Sequence, residues 1–133
     1  MNILIVDDEK DYCDVMELIF TSHGYEVDTC NNGSEALEKM EKKSYDLVLT
    51  DLLMPVMDGS ELLGEIKHLY PATEVIMMTA YGTIEKAVET MKQGAYSYVT
   101  KGDRPEKLLS EIEILSHRKK QDTEKTYPSG SME

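Results

Sequence analysis

Five times along the chain a short run of branched apolar residues ends in a polar residue and hands over to a helical pattern. The runs are Asn2 to Val6, Tyr25 to Thr29, Leu47-Val48-Leu49 leading to Asp51, Glu74 to Met78 leading to Thr79, and Tyr96 to Thr100. After each comes a stretch with apolar residues three and four apart: Tyr12, Val15, Met16, Ile19 and Phe20; Ala36, Leu37 and Met40; Leu62, Leu63, Ile66 and Leu69; Ile84, Ala87, Val88 and Met91; Leu108, Leu109, Ile112 and Leu115. Alternation of this kind implies parallel strands, because each return to the sheet crosses over through a helix. The third run is apolar throughout, as a strand buried on both faces should be, whereas the second and fifth alternate like edges. The expected fold is therefore α/β: a five-stranded parallel sheet of order 2-1-3-4-5, flavodoxin-like (βα)5, with helices on both faces.

Local signals set the boundaries. Gly24 and Gly94 stand where left-handed helix caps belong. Asn32 with Glu35 and Asp58 with Glu61 read as capping boxes. Pro71 blocks the third helix, and Pro105 suits the first turn of the last one. The apolar stripe fades near Ser116, so one folded domain is expected over 1–117 and a linker or disordered tail over 118–133. A net charge of −12 argues against a domain that grips nucleic acid or an anionic membrane by itself. No apolar run approaches the ~20 residues of a membrane span, and the chain enters a strand at once, so a cytoplasmic location is expected. Cys13 and Cys30 lie in no metal or redox spacing and read as small buried hydrophobes.

The chemistry-bearing residues fall at strand ends. Asp7 and Asp8 close the first run, Asp51 the third, Thr79 the fourth and Lys101 the fifth. In the expected strand order these ends meet at the switch point between the first and third strands, where open α/β sheets bind ligands. Two carboxylates ~5 Å apart repel by roughly 3 kcal/mol at an effective dielectric of about 20. A group of three must protonate or recruit a cation. Oxygen ligands that leave room for water suit Mg²⁺. A divalent ion and an ammonium beside a carboxylate nucleophile are what phosphoryl transfer needs.

Together these residues resemble the receiver domain of two-component response regulators, over Met1 to about Leu115. The resemblance rests on Val6-Asp7-Asp8-Glu9, on Asp51-Leu52-Leu53-Met54-Pro55-Val56-Met57-Asp58-Gly59, on Met78-Thr79-Ala80 and on Tyr98-Val99-Thr100-Lys101. The stretch from Met78 to Lys101 is most similar to the nitrogen-regulator branch, whose members often drive sigma-54-dependent transcription. The resemblance implies that Asp51 accepts a phosphoryl group from a sensor histidine kinase. It implies that Asp8, Asp51 and the Leu53 backbone carbonyl bind Mg²⁺ directly, with Asp7 acting largely through water. Lys101 would pair with the phosphoryl group, the Thr79 hydroxyl would move to it, and Tyr98 would rotate inward. Leu53, Ala80 and Tyr81 would flank it. Bulky, uncharged Leu53 and Tyr81 should hinder an attacking water, so slow self-dephosphorylation is expected.

The output would be the face of the fourth helix, fifth strand and fifth helix, which could also pair two copies. Its recipient would be an effector domain in the parent chain or a downstream protein. Such a domain catalyses only its own phosphorylation and dephosphorylation. One departure stands out: the family usually follows the lysine with a cis proline, and here Gly102 follows, where a trans bond is favoured. Two alternatives remain at this level. One is a degenerate receiver serving only as an interaction module. The other is a haloacid-dehalogenase-type phosphatase, which would want an acid at the position Leu53 occupies.

Overall fold

A computed structural model describes the backbone of residues 1–132 and all their side chains except those of Tyr81 and 122–132. The elements run β1 (Asn2–Val6), α1 (Lys10–Ser22), β2 (Glu26–Cys30), α2 (Gly33–Lys42), β3 (Leu47–Asp51), α3 (Gly59–Leu69), β4 (Glu74–Thr79), α4 (Ile84–Lys92), β5 (Ser97–Thr100) and α5 (Pro105–Met132). The strands form one parallel sheet of order β2-β1-β3-β4-β5, as the alternation of patterns requires. β2 and β5 begin one residue later than the sequence suggests, with Tyr25 and Tyr96 outside the strands. A 3₁₀ turn at Tyr81–Thr83, without a sequence signal, leads into α4.

Val6 pairs with Thr50 and with Cys30, and Asp51 pairs with Met78. The ladder therefore brings the carboxyl ends of the inner strands level with one another. Leu4, Val6, Val48, Val75 and Met77 share one buried cluster with Ala36 and Met40 of α2, Leu62, Leu63 and Ile66 of α3, and Ala87 of α4. Ile3, Ile5, Leu47, Leu49, Ile76 and Met78 alternate with these along the strands and are equally buried. Covering an inner strand on both faces is what makes the β3 run continuously apolar.

The local signals hold with some corrections. Gly24 and Gly94 take positive φ at the ends of α1 and α4, and Asp58 with Glu61 forms a complete capping box. Asn32 accepts from Glu35 N, but the Glu35 carboxylate accepts from Asn31 N, one residue before the cap. Four positions expected inward are exposed: Val15, Leu69, Val88 and Met91. Each lies at the border of an apolar stripe wider than the face its helix buries.

The chain divides into two compact units, Met1–Gly102 and Asp103–Glu133. In the second, α5 starts at Pro105 and buries Leu108, Ile112 and Leu115. Its backbone stays helical to Met132, well past the end expected near Ser116. The apolar stripe stops there, but Arg118-Lys119-Lys120-Gln121 are good helix formers, and helical propensity does not require an apolar face. Among the described residues, no helix is long and apolar enough to cross a membrane.

Candidate functional site

The β1 ladder continues one residue beyond the strand, with Asp7 N donating to Cys30 O at 3.1 Å, and this holds Asp7 under the rim of the sheet. Asp7 is completely buried. Its Oδ1 accepts from Glu9 N at 2.9 Å, which folds the chain back into α1. Its Oδ2 meets no hydrogen-bond donor of good angle, although Lys101 Nζ lies 2.7 Å away as an ion-pair partner. Asp8, one residue on, is exposed at the rim.

Asp51 closes β3. Gly59 allows the start of α3 to sit against it: a Cβ there would come within 2.5 Å of Asp51 O. Gly59 N donates to Leu52 O at 2.8 Å across the same approach. The intervening loop is strained. Val56 has φ 71, and Met57 N donates to Pro55 O at 2.8 Å, the pattern of a γ-turn. A β-branched residue in the left-handed region costs about 1–3 kcal/mol.

Lys101 enters from β5, anchored by its N–H donating to Thr79 O at 2.9 Å. Its Nζ lies 2.7 Å from Asp7 Oδ2, 2.9 Å from Glu9 Oε1 and 3.2 Å from Asp51 Oδ2. It also stands over the Tyr12 ring, 4.8 Å from the centroid. Every described peptide bond is trans, Lys101–Gly102 included.

Asp7, Asp8 and Asp51 each offer an oxygen, all within 4.8 Å of one another. Burial pushes the Asp51 carboxyl above its ordinary range, and the neighbouring Asp7 charge adds to the shift. Asp7 is raised as well, its burial outweighing the pull of Lys101. Burial also disfavours the Lys101 charge, yet the carboxylates of Asp7, Glu9 and Asp51 overcome it and hold the ammonium well above the ordinary lysine range. One lysine thus leaves the acids under-compensated. With a buried, undonated oxygen among them, the donor set fits a hard divalent cation.

Asp7, Asp8, Asp51 and Lys101 therefore come together as the sequence suggests. The remaining expected residues sit differently. Thr79 is buried, and its hydroxyl is hydrogen-bonded to Thr83 Oγ1 and to Ala80 O at 3.1 Å, within the turn before α4. Tyr98 is half-buried and packs against the cluster beneath α2, α3 and α4. The Leu53 side chain is 49% exposed and Ala80 is exposed. The Tyr81 side chain lies outside the described residues. Sequence reasoning gave no site role to Glu9, Tyr12 or Thr83. Glu9 adjoins the acid pair and Tyr12 lies in the first turn of α1, but only the fold brings them to Lys101.

A parallel α/β sheet whose switch point carries three acids and a lysine defines a class: α/β domains that bind their ligand at an acidic rim. Comparison with known proteins narrows it. Residues 3–113 match the response regulator receiver domain model, and the chain belongs to that family. It is 43% identical over 118 residues to the transcriptional regulatory protein ZraR of Klebsiella oxytoca, covering 88% of this chain and 27% of that protein. It thus spans about a quarter of that relative's length. A receiver domain protein of Clostridium thermocellum has 33% identity and a TM-score of 0.85, over 90% of this chain and 97% of that one. The response regulator TrrA of Thermotoga maritima, solved in complex with Mg²⁺-BeF, has 34% identity and a TM-score of 0.77, over 86% and 97%. The chain is a two-component receiver related to the sigma-54 activators. Receivers of this family bind Mg²⁺ at an acidic pocket.

Proposed function

We propose that Asp51 is the phosphoacceptor, loaded by a sensor histidine kinase, and that the loading is read on a surface including α4 and β5. The observation that carries this reading is the convergence of Asp7, Asp8 and Asp51 within 4.8 Å, with Lys101 Nζ 3.2 Å from Asp51 Oδ2. Asp8, Asp51 and the Leu53 carbonyl would hold Mg²⁺, with Asp7 behind them. The ion would neutralise charge on the phosphoryl oxygens and shield the nucleophile from its acidic neighbours.

The protein's own groups do the rest. The Asp51 carboxylate attacks phosphorus, and its bond to the donor nitrogen breaks. Lys101 supplies a fixed positive charge beside the incoming oxygens. The Thr79 hydroxyl leaves Thr83 and Ala80 O to donate to the phosphoryl group, and Tyr98 turns into the space this opens. The switch is a shift between two packings whose free energies differ by a few kcal/mol. Leu53 and Ala80 flank the approach of a hydrolytic water.

A receiver over 1–117, a linker over 118–133 and an attached or separate effector would make transcription the controlled output, in the cytoplasm. The relatives' names and the solved Mg²⁺-BeF complex of a protein 34% identical support this reading. Titrating beryllofluoride with Mg²⁺ while following backbone amide signals tests it. Saturable shifts centred on the rim and reaching α4 are expected, and they should vanish in Asp51→Asn. Shifts that survive that substitution would refute the assignment.

A further inference from the structure

Resting on that reading, we propose that Tyr12 is a positioning residue for Lys101: its ring is the support that keeps the ammonium beside Asp51 when a divalent ion occupies the acids. A lysine is a compact charge on a flexible four-carbon stem, and something must hold it. Three carboxylates hold Lys101 now, at 2.7 Å (Asp7), 2.9 Å (Glu9) and 3.2 Å (Asp51). Asp7 and Asp51 are also the two buried acids that a divalent ion would draw on. Glu9 remains, but its side chain is 66% exposed, and so weakly placed against solvent.

The backbone beyond the lysine offers little grip. A Cβ added at Gly102 would meet nothing within 4 Å, so the chain leaves the site through open space. Tyr12 is different in kind. It lies in the first turn of α1, a 13-residue helix fixed to the core through Cys13, Met16 and Phe20. Its ring is half-buried, and the ammonium lies 4.8 Å from its centroid. A neutral aromatic face attracts the ammonium without competing for the metal or repelling an anionic phosphoryl group. A fourth carboxylate would do both.

Two readouts on the full chain test this. The first is the proton shift of the Lys101 ε-methylene, which ring current should displace upfield. The displacement should persist with saturating Mg²⁺ and beryllofluoride, survive in Tyr12→Phe and disappear in Tyr12→Leu. The second is affinity. Tyr12→Leu should weaken beryllofluoride binding about fivefold, the scale of one partly shielded cation–π contact. Tyr12→Phe should stay within about twofold of the parent, and Mg²⁺ affinity without beryllofluoride should change by less than about twofold in both. Tyr12→Gln, which fills the same path without a π face, should repeat the Tyr12→Leu result and guards against a variant that fails to fold.

Unchanged beryllofluoride affinity in Tyr12→Leu and Tyr12→Gln would overturn the proposal. So would parallel weakening of Mg²⁺ and beryllofluoride, which marks a merely structural role. Loss of the lysine's ring-current shift once the ligands bind would overturn it too. Failure of the unaltered chain to bind beryllofluoride at all would instead defeat the phosphoacceptor reading on which this one rests.

Discussion

At the scale of single residues, the site depends on close approaches as much as on charges. Gly59 sits where any side chain would strike the Asp51 carbonyl, a backbone atom that cannot swing aside. Gly59→Ala should cost about 1–3 kcal/mol and weaken Mg²⁺ binding, because relief of the clash moves the end of β3. Chemical denaturation and metal titration of the same variant check both effects together. On the proposed reading Leu53, half-exposed two residues after Asp51, obstructs the attacking water. The phosphorylated domain should therefore last many minutes, and Leu53→Asn should shorten that lifetime. A lifetime of seconds, unchanged in Leu53→Asn, would count against the obstruction. The acids and Lys101 were legible in the sequence because strand ends are countable. Val56 was not: a valine at positive φ runs against every local rule, and only the loop's closure onto α3 imposes it.

At the scale of elements, the turn between β4 and α4 is the joint that matters. The Thr79 hydroxyl is committed to Thr83 Oγ1 and Ala80 O, and Thr83, the N-cap of α4, makes no side-chain cap hydrogen bond. Ser60 Oγ donates to Gln93 Oε1 at 2.9 Å and ties α3 to the end of α4. Thr83→Val removes one partner that holds Thr79 in the resting turn. It should raise beryllofluoride affinity about fivefold, since one hydrogen bond is worth ~1 kcal/mol between the two packings. Unchanged or weaker binding would show that the Thr83 contact does not oppose the switch. Sequence patterns located all the helices yet misjudged which apolar residues they bury. Val88 and Met91 of α4 belong to the 3.6-residue stripe but remain 44% and 39% exposed, because burial is decided by what lies opposite and not by periodicity. The length of α5 is hidden for a related reason: its apolar stripe ends at Leu115 while its backbone stays helical to Met132.

At the scale of the molecule, a stable sheet carries a rim that works against its own stability. Strand order was legible because alternation and edge character leave few topologies, and the rim acids follow from that order. The energetic balance at the rim is set by the fold, since Lys101, Glu9 and Tyr12 converge from separate parts of the sequence. In the fold, Asp7 and Asp51 titrate above their ordinary value of 3.8. In the window just above that value the folded chain keeps protons that the unfolded chain releases, so these acids remove stability as pH rises and return it as pH falls. Lys101 acts in the opposite sense: its raised pKa contributes stability in full below 10.5, lost as pH climbs through the folded value. Without metal, Asp51→Asn should therefore melt about 5 °C above the parent at pH 7, with the gap closing toward pH 4. It should also lose much of the stabilisation Mg²⁺ gives the parent, read from paired melting curves.

The most direct test of the account is the intact mass of the chain after incubation with acetyl phosphate and Mg²⁺, followed by mapping of any modified peptide. One acid-stable, hydroxylamine-sensitive phosphoryl group on Asp51, absent in Asp51→Asn and without Mg²⁺, is the predicted result. A chain that takes up no phosphoryl group, or carries it on another residue, would contradict the account.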